Sequence, residues 1–272
     1  MLRLRLVAAS AALVLPAALA STASAETFAA VDSSNRLYTF SDSKPGDFKR
    51  VALKGLAPGE RIVGLDVRPA GRQLVAVTSQ NRLYSVSRSK RTATVIGAAA
   101  FMPALSGASF GFEFNPTVDR IRVVSNSGQN LRLNPDTGAV AMADKPLSYK
   151  AGDAGAGATP VALGSAYTNN VRGATTTTLY NVDTARDTLV IQAPPNDGVL
   201  TTVGALGIDL AGPLGFDISA RDGAAYVLAR RSGAPRPRLF RVNLMTGKAK
   251  QVGVVSRAPS LVALAALSAP RS

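Results

Sequence analysis

Apolar and polar residues alternate at period two along residues 109–143, SFGFEFNPTVDRIRVVSNSGQNLRLNPDTGAVAMA, the signature of half-buried β-strands. Phe112 and Phe114 fall on one face, with Gly111, Glu113 and Asn115 on the other. Ile121 and Val123 alternate with Arg120 and Arg122, and Leu131 and Leu133 flank Arg132. Turn chemistry separates these runs. Asn115-Pro116 presets a turn, Gly128 accepts a positive φ, and Asn134-Pro135-Asp136-Thr137-Gly138 fits a type I turn closed by glycine. The pattern predicts four short antiparallel strands. Such a meander cannot cover both of its faces and leaves two open edges, so it needs neighbours.

The neighbours are copies of the same unit. Asn35-Arg36-Leu37-Tyr38 recurs as Asn81-Arg82-Leu83-Tyr84, and looser copies begin at Asn130, Thr177 and Pro237. Their spacing is about 46–49 residues and then about 60, within the range of repeat architectures. A second signature precedes it: Gly64-Leu65-Asp66-Val67, Gly111-Phe112-Glu113-Phe114, Gly164-Ser165-Ala166-Tyr167 and Gly215-Phe216-Asp217-Ile218. Four-stranded repeats of this length predict an all-β, five-bladed β-propeller of antiparallel blades. A β solenoid fits less well because its repeats are usually shorter. Six blades, the extra one using residues 200–210, is the second arrangement. Blade one lacks a copy of the Gly-Leu-Asp-Val strand before Phe28. The apolar run 261–267 lies at the repeat spacing after the last copy, so the C-terminal strand is expected to complete blade one and close the ring. The glycine-rich stretch 151–157 precedes no helical pattern and is expected to be a surface loop, not a phosphate cradle.

Residues 1–25 change the picture of compartment. Arg3 and Arg5 precede an apolar run over 6–20, and Ala23-Ser24-Ala25 offers an A-x-A cleavage site. A signal peptide is expected here, leaving a single domain over 26–272 that is exported to the periplasm or the exterior. No other long uncharged apolar run follows, so no transmembrane segment is expected. The chain has no histidine, cysteine or tryptophan. That excludes Ser-His-Asp triads, cysteine nucleophiles, histidine zinc sites and iron–sulfur clusters. Carboxylates, lysine, arginine, tyrosine, hydroxyls and oxygen-liganded cations such as calcium remain. The formal charge is +14, or +12 without the two leader arginines. The expected partner is an anionic polymer of the envelope. The basic runs at 88–91 and 230–238 are not interleaved with aromatics, which argues against a nucleic-acid platform. The ring closes on itself, and a monomer is expected.

Several strings carry a family resemblance: GFEFNPTVDRIRVVSNSGQNLRLNPDTGAV at 111–140, Ala166-Tyr167-Thr168-Asn169-Asn170, the run 174–180, and Pro194-Pro195-Asn196-Asp197-Gly198. On these the chain resembles the bacterial domain of unknown function 4394 family, over nearly all of residues 26–272. The resemblance implies a secreted or periplasmic propeller and brings no catalytic residues. Two functions follow. One is a non-catalytic binding or scaffold propeller of the cell envelope, without cofactor. The alternative is a calcium-assisted hydrolase or lyase acting on a sugar, lactone or phosphoester at the channel mouth, with Asp66, Glu113, Asp217, Asn115 and Asn169 as its candidates. Asp66, Glu113 and Asp217 occupy equivalent places on what should be the innermost strands, so ring symmetry predicts three carboxylates at similar height around one axis. Two roles are open to them: holding a metal, for which calcium suits, or accepting hydrogen bonds from a neighbouring blade.

Overall fold

The computed structural model describes residues 25–255 and 260–270. The predicted leader, through residue 24, lies outside the described residues. Blade one opens with β1 (Thr27–Asp32), β2 (Arg36–Ser41) and β3 (Lys49–Ala52). Blade two contains β4 (Ile62–Val67), β5 (Leu74–Thr78), β6 (Leu83–Ser87) and β7 (Thr92–Ile96). Blade three contains β8 (Phe110–Asn115), β9 (Arg120–Ser125), β10 (Asn130–Leu133) and β11 (Val140–Ala143). Blade four contains β12 (Ser148–Tyr149), β13 (Ala162–Tyr167), β14 (Leu179–Asp183), β15 (Thr188–Gln192) and β16 (Val199–Ala205). Blade five contains β17 (Leu210–Ile218), β18 (Ala225–Arg231), β19 (Arg238–Val242) and β20 (Ala249–Val254), and β21 (Leu261–Ala266) returns to blade one. The five sheets are arranged in a ring, and the fold is a five-bladed β-propeller.

The ring closes as the repeat count predicts. β21 pairs antiparallel with β1, with Phe28 opposite Ala266 and Ala30 opposite Leu264. Residues 200–210 are divided between β16 and the start of β17, which leaves no sixth sheet among the described residues. One blade departs from the four-stranded expectation. The chain leaving blade three first adds β12 in parallel to the outer edge of blade four, Ser148 opposite Val199, before entering that blade at its centre.

The repeated motifs have local causes. Asn35 and Asn81 sit in turns at φ 59 and φ 61, a left-handed conformation that asparagine tolerates. The side chain of each staples the chain entering the next blade. Asn35 donates to the carbonyl of Glu60 at 2.7 Å and accepts from the Ile62 N–H at 2.9 Å. Asn81 accepts from the Leu105 N–H at 2.8 Å. The tyrosine of the motif is buried with its hydroxyl on a carboxylate, Tyr38 on Asp32 and Tyr84 on Glu60. The glycine of the inner-strand motif is there for close approach. A Cβ on Gly64 would lie 2.4 Å from Phe112 Cβ, one on Gly111 2.3 Å from Ser165 Oγ, and one on Gly215 2.3 Å from the Leu264 backbone nitrogen.

Four of the five seams between blades are apolar. Val31 and Leu37 of blade one pack with Ile62 and Leu65 of blade two, and Val75 and Leu83 of blade two pack with Phe112 and Ile121 of blade three. Val182 and Leu189 of blade four meet Phe216 and Val227 of blade five, and Tyr226 and Leu228 of blade five meet Phe28 and Tyr38 of blade one. Each such Leu or Phe contributes roughly 1.5–3 kcal/mol by leaving water. The seam between blades three and four is different. Its apolar cluster is small, and Val124 is blade three's member of it. Buried polar side chains fill the rest. Ser165 donates to Asn181, Asn181 to Gln192, and Gln192 to Asn130, at 2.5, 2.9 and 3.4 Å.

The glycine contacts generate a prediction. Gly215→Ala forces a methyl against backbone that has no side chain to swing away, and overpacking of this kind costs about 1–3 kcal/mol. Its melting temperature is expected to fall by several degrees, whereas Gly71→Ala, with no atom within 4 Å of the new methyl, leaves it unchanged. Paired thermal melts followed by circular dichroism check this.

Candidate functional site

Asp66 on β4, Glu113 on β8 and Asp217 on β17 stand two residues beyond the close-approach glycines, so each side chain leaves its strand toward the next blade. The hydrogen bonds repeat with the ring. Asp66 Oδ2 accepts from the Phe114 N–H at 2.8 Å, Glu113 Oε1 from the Tyr167 N–H at 3.5 Å, and Asp217 Oδ2 from the Ala266 N–H at 2.5 Å. In each case the donor lies one residue past the equivalent position of the next inner strand. The aspartates also accept from their own following N–H groups, Val67 at 2.5 Å and Ile218 at 2.6 Å. Glu113, one carbon longer, reaches the side-chain amide of Asn170 at 3.3 Å. The remaining two inner positions carry Ala166 and Ala265 and have no carboxylate to offer.

Ring symmetry brings the three acids together. One carboxylate oxygen of each lies within 4.8 Å of the others, and all three residues are buried. Burial is the main force on their protonation. It pushes Asp66 up to about 7 against the pull of its two backbone donors. It raises Glu113 well above the usual carboxylate range, and the charges of Asp66 and Asp217 raise it further. It raises Asp217 likewise, helped by the charge of Asp66. A cluster of this kind becomes neutral by holding protons or by holding a cation. The oxygen donor set suits calcium in kind, and Asp66, Glu113 and Asp217 are the residues that would hold it. Yet five of the six carboxylate oxygens already accept an N–H, and a calcium ion asks for six to eight oxygens. On the glycine side of the cluster the axial gap has a volume of about 10 Å³, room for about one water.

Asn115 and Asn169 do not join the acids. Asn115 Oδ1 is taken by the N–H and hydroxyl of Thr117, at 3.0 and 2.7 Å. Asn169 is exposed at φ 53 and donates to the Thr176 carbonyl at 3.0 Å. Asn115 instead lines a cavity of about 220 Å³ at the rim of the polar seam, together with Arg120, Arg122, Arg132, Tyr167 and Asn196. Neither spacing nor ring symmetry groups these residues in the sequence. The signal was present in the strings at 111–140, 166–170 and 194–198, which all converge on this cavity.

The model of the domain of unknown function DUF4394 matches residues 36–265. The chain belongs to the DUF4394 family. No curated protein matches it in sequence. Among solved structures, a structural-genomics protein of unknown function from Bacteroides thetaiotaomicron VPI-5482 is similar, with a TM-score of 0.54 and 15% identity over 92% of this chain and 66% of that one. Glutaminyl cyclase of Myxococcus xanthus gives 0.47 and 12%, over 84% of this chain and 95% of that one. Hydrazine synthase of Kuenenia stuttgartiensis gives 0.41 and 13%, over 75% and 51%. The DUF4394 chain thus spans between half and two thirds of the length of the Bacteroides and Kuenenia proteins. At 15% identity the likeness to the Bacteroides protein is one of fold.

The protonation of the cluster sets a pH dependence. Asp66 titrates near 7 when folded and near 3.9 when unfolded, so between these values the folded protein binds more protons. The contribution of Asp66 is therefore fully present below about pH 4 and is lost as pH rises through about 7, and Glu113, raised in the same direction, has the same sign of pH dependence. Glu113→Gln keeps an acceptor for Tyr167 and Asn170 and supplies a permanent donor in place of the proton. The melting temperature of the parent, measured relative to this variant, is expected to fall between pH 4 and pH 8. Parallel curves would show that folding does not change the protonation of Glu113 in this window.

Proposed function

We propose that this protein is an exported, non-catalytic β-propeller that binds an anionic component of the cell envelope. The observation that carries the reading is the condition of the inner carboxylates. They are buried and tied to the backbone of the next blade. Carboxylate hydrolysis needs an acid and a base within reach of both substrate and water. These acids instead join blade to blade. A formal charge of +12 without the leader arginines favours polyanions as partners.

Export rests on the leader pattern of residues 1–25. Glu26, the first residue after the expected cut, is compatible with it. Its backbone N–H donates to Asp42 Oδ1 at 3.0 Å, where the ammonium of a cleaved chain would meet the same carboxylate. No helix among the described residues is long and apolar enough to cross a membrane.

The second reading, a calcium-assisted hydrolase or lyase on a sugar, lactone or phosphoester, is favoured by one observation: the approach of the three carboxylates to within 4.8 Å. A ligand that binds only the folded state raises the melting temperature. The purified protein is expected to melt identically with and without millimolar calcium, to turn over no glycoside, lactone or phosphoester above buffer, and to co-sediment with acidic envelope polymer in a salt-sensitive way. Calcium-dependent melting with turnover would establish the enzyme instead.

A further inference from the structure

The polar seam between blades three and four holds the group that the acid cluster does not explain. Arg122 on β9 is buried at 2% exposure, although arginine is among the residues least often found inside. Its two terminal nitrogens are committed. Nη1 donates to Asn130 Oδ1 at 2.7 Å and to Asp144 Oδ2 at 2.5 Å, and Nη2 donates to Asn196 Oδ1 at 2.7 Å. Asp144 is shared, taking Nε and Nη2 of Arg132 at 2.8 and 2.9 Å. One carboxylate thus faces two guanidinium groups. Arg120 on the same rim donates to the carbonyl of Asp119 at 3.0 Å and makes no carboxylate ion pair, feeling the charge of Asp136 only at longer range.

Two buried polar atoms in this place have no partner. They are Nε of Arg122 and the hydroxyl of Tyr167, and both residues line the cavity of about 220 Å³. Buried donors are almost always satisfied, and leaving one unpaired is costly. The Tyr167 hydroxyl interacts electrostatically with the side chains of Arg122 and Asn115, but neither contact has the geometry of a hydrogen bond. Arginine nitrogens only donate, and a phenol donates readily. The lining includes no acidic residue, while Val118, Ile121 and Pro195 give it an apolar wall.

We infer that this cavity binds a small organic oxyanion, its charged group accepting hydrogen bonds from Arg122 Nε and Tyr167 Oη beneath Arg120 and Arg132, and its ring lying against Val118 and Pro195. The size admits one sugar acid or sugar phosphate. This deepens the reading of the protein as an envelope-polymer binder and rests on it, because the occupant would be a terminal acidic sugar of such a polymer.

The probes are glucuronate and glucose 6-phosphate, which distinguish a carboxylate from a phosphate source, with neutral glucose as the blank. Calorimetric titration of the folded full-length mature chain should show binding of one or both anions and none of glucose. Tyr167→Phe deletes the unpaired hydroxyl alone. It is expected to keep or raise the melting temperature of the free protein while weakening anion binding about tenfold or more. Arg120→Gln should weaken binding without unfolding, because Arg120 makes its contact at the surface. No heat from either anion at millimolar concentration, or equal affinity in Tyr167→Phe, overturns the site. If the polymer still co-sediments with Tyr167→Phe and Arg120→Gln at parent strength, this site is overturned while the envelope-binding function stands. If the polymer does not bind the parent but glucuronate does with the expected loss in Tyr167→Phe, the site stands and the polymer reading falls.

Discussion

Everything in this molecule depends on how closely five inner strands can approach one axis. β-strands normally keep about 10 Å between faces, with side chains filling the space. At the axis there is no such space. Gly64, Gly111, Gly164 and Gly215 remove the side chain where the next inner strand presses in. Two residues on, where the strands have begun to diverge, Asp66, Glu113 and Asp217 reach across and accept the neighbour's backbone N–H. Inner strands of adjacent blades are not ladder partners, so without these acceptors their N–H groups would be buried and unpaired. The acids serve the same geometric need as the glycines, one position by absence and the other by reach.

The ring is not uniform around its circumference. Four seams use hydrophobic contact, which has no direction and tolerates small shifts. The seam between blades three and four uses Ser165, Asn181, Gln192, Asn130 and Arg122, whose hydrogen bonds demand particular positions. Polar groups in such a place are specific when satisfied and destabilising when not. An arginine with one nitrogen unsatisfied therefore marks the seam as a place where a missing partner belongs.

The fold was legible because repetition compounds weak signals. A single copy of Asn-Arg-Leu-Tyr means little, but its recurrence together with the Gly-Leu-Asp-Val signature places the inner strands, and the apolar run at 261–267 then has a vacant slot to fill. The acid cluster was legible for the same reason, since equivalent positions in a ring share a height. The fifth strand of blade four was not, because β12 is two residues long and owes its existence to a connection passing an open edge. The cavity was hidden differently. Arg122 and Tyr167 lie in different repeats at non-equivalent positions, so neither spacing nor symmetry relates them. Arg122 also alternates with Ile121 and Val123 as a solvent-facing residue would, and only the polar neighbouring blade draws it inside.

The pairing of β21 with β1 sets the order in which the chain can become structured. Blades two, three and five are runs of consecutive hairpins, and each can form from local contacts once its own strands exist. Blade one lacks its innermost strand until β21 is present, and Phe28 waits for Ala266. Contacts between residues so distant in sequence form slowly, because the loop between them must first be closed. A nascent chain therefore carries an unfinished first blade until β21 emerges, and the ring becomes one cooperative unit only then.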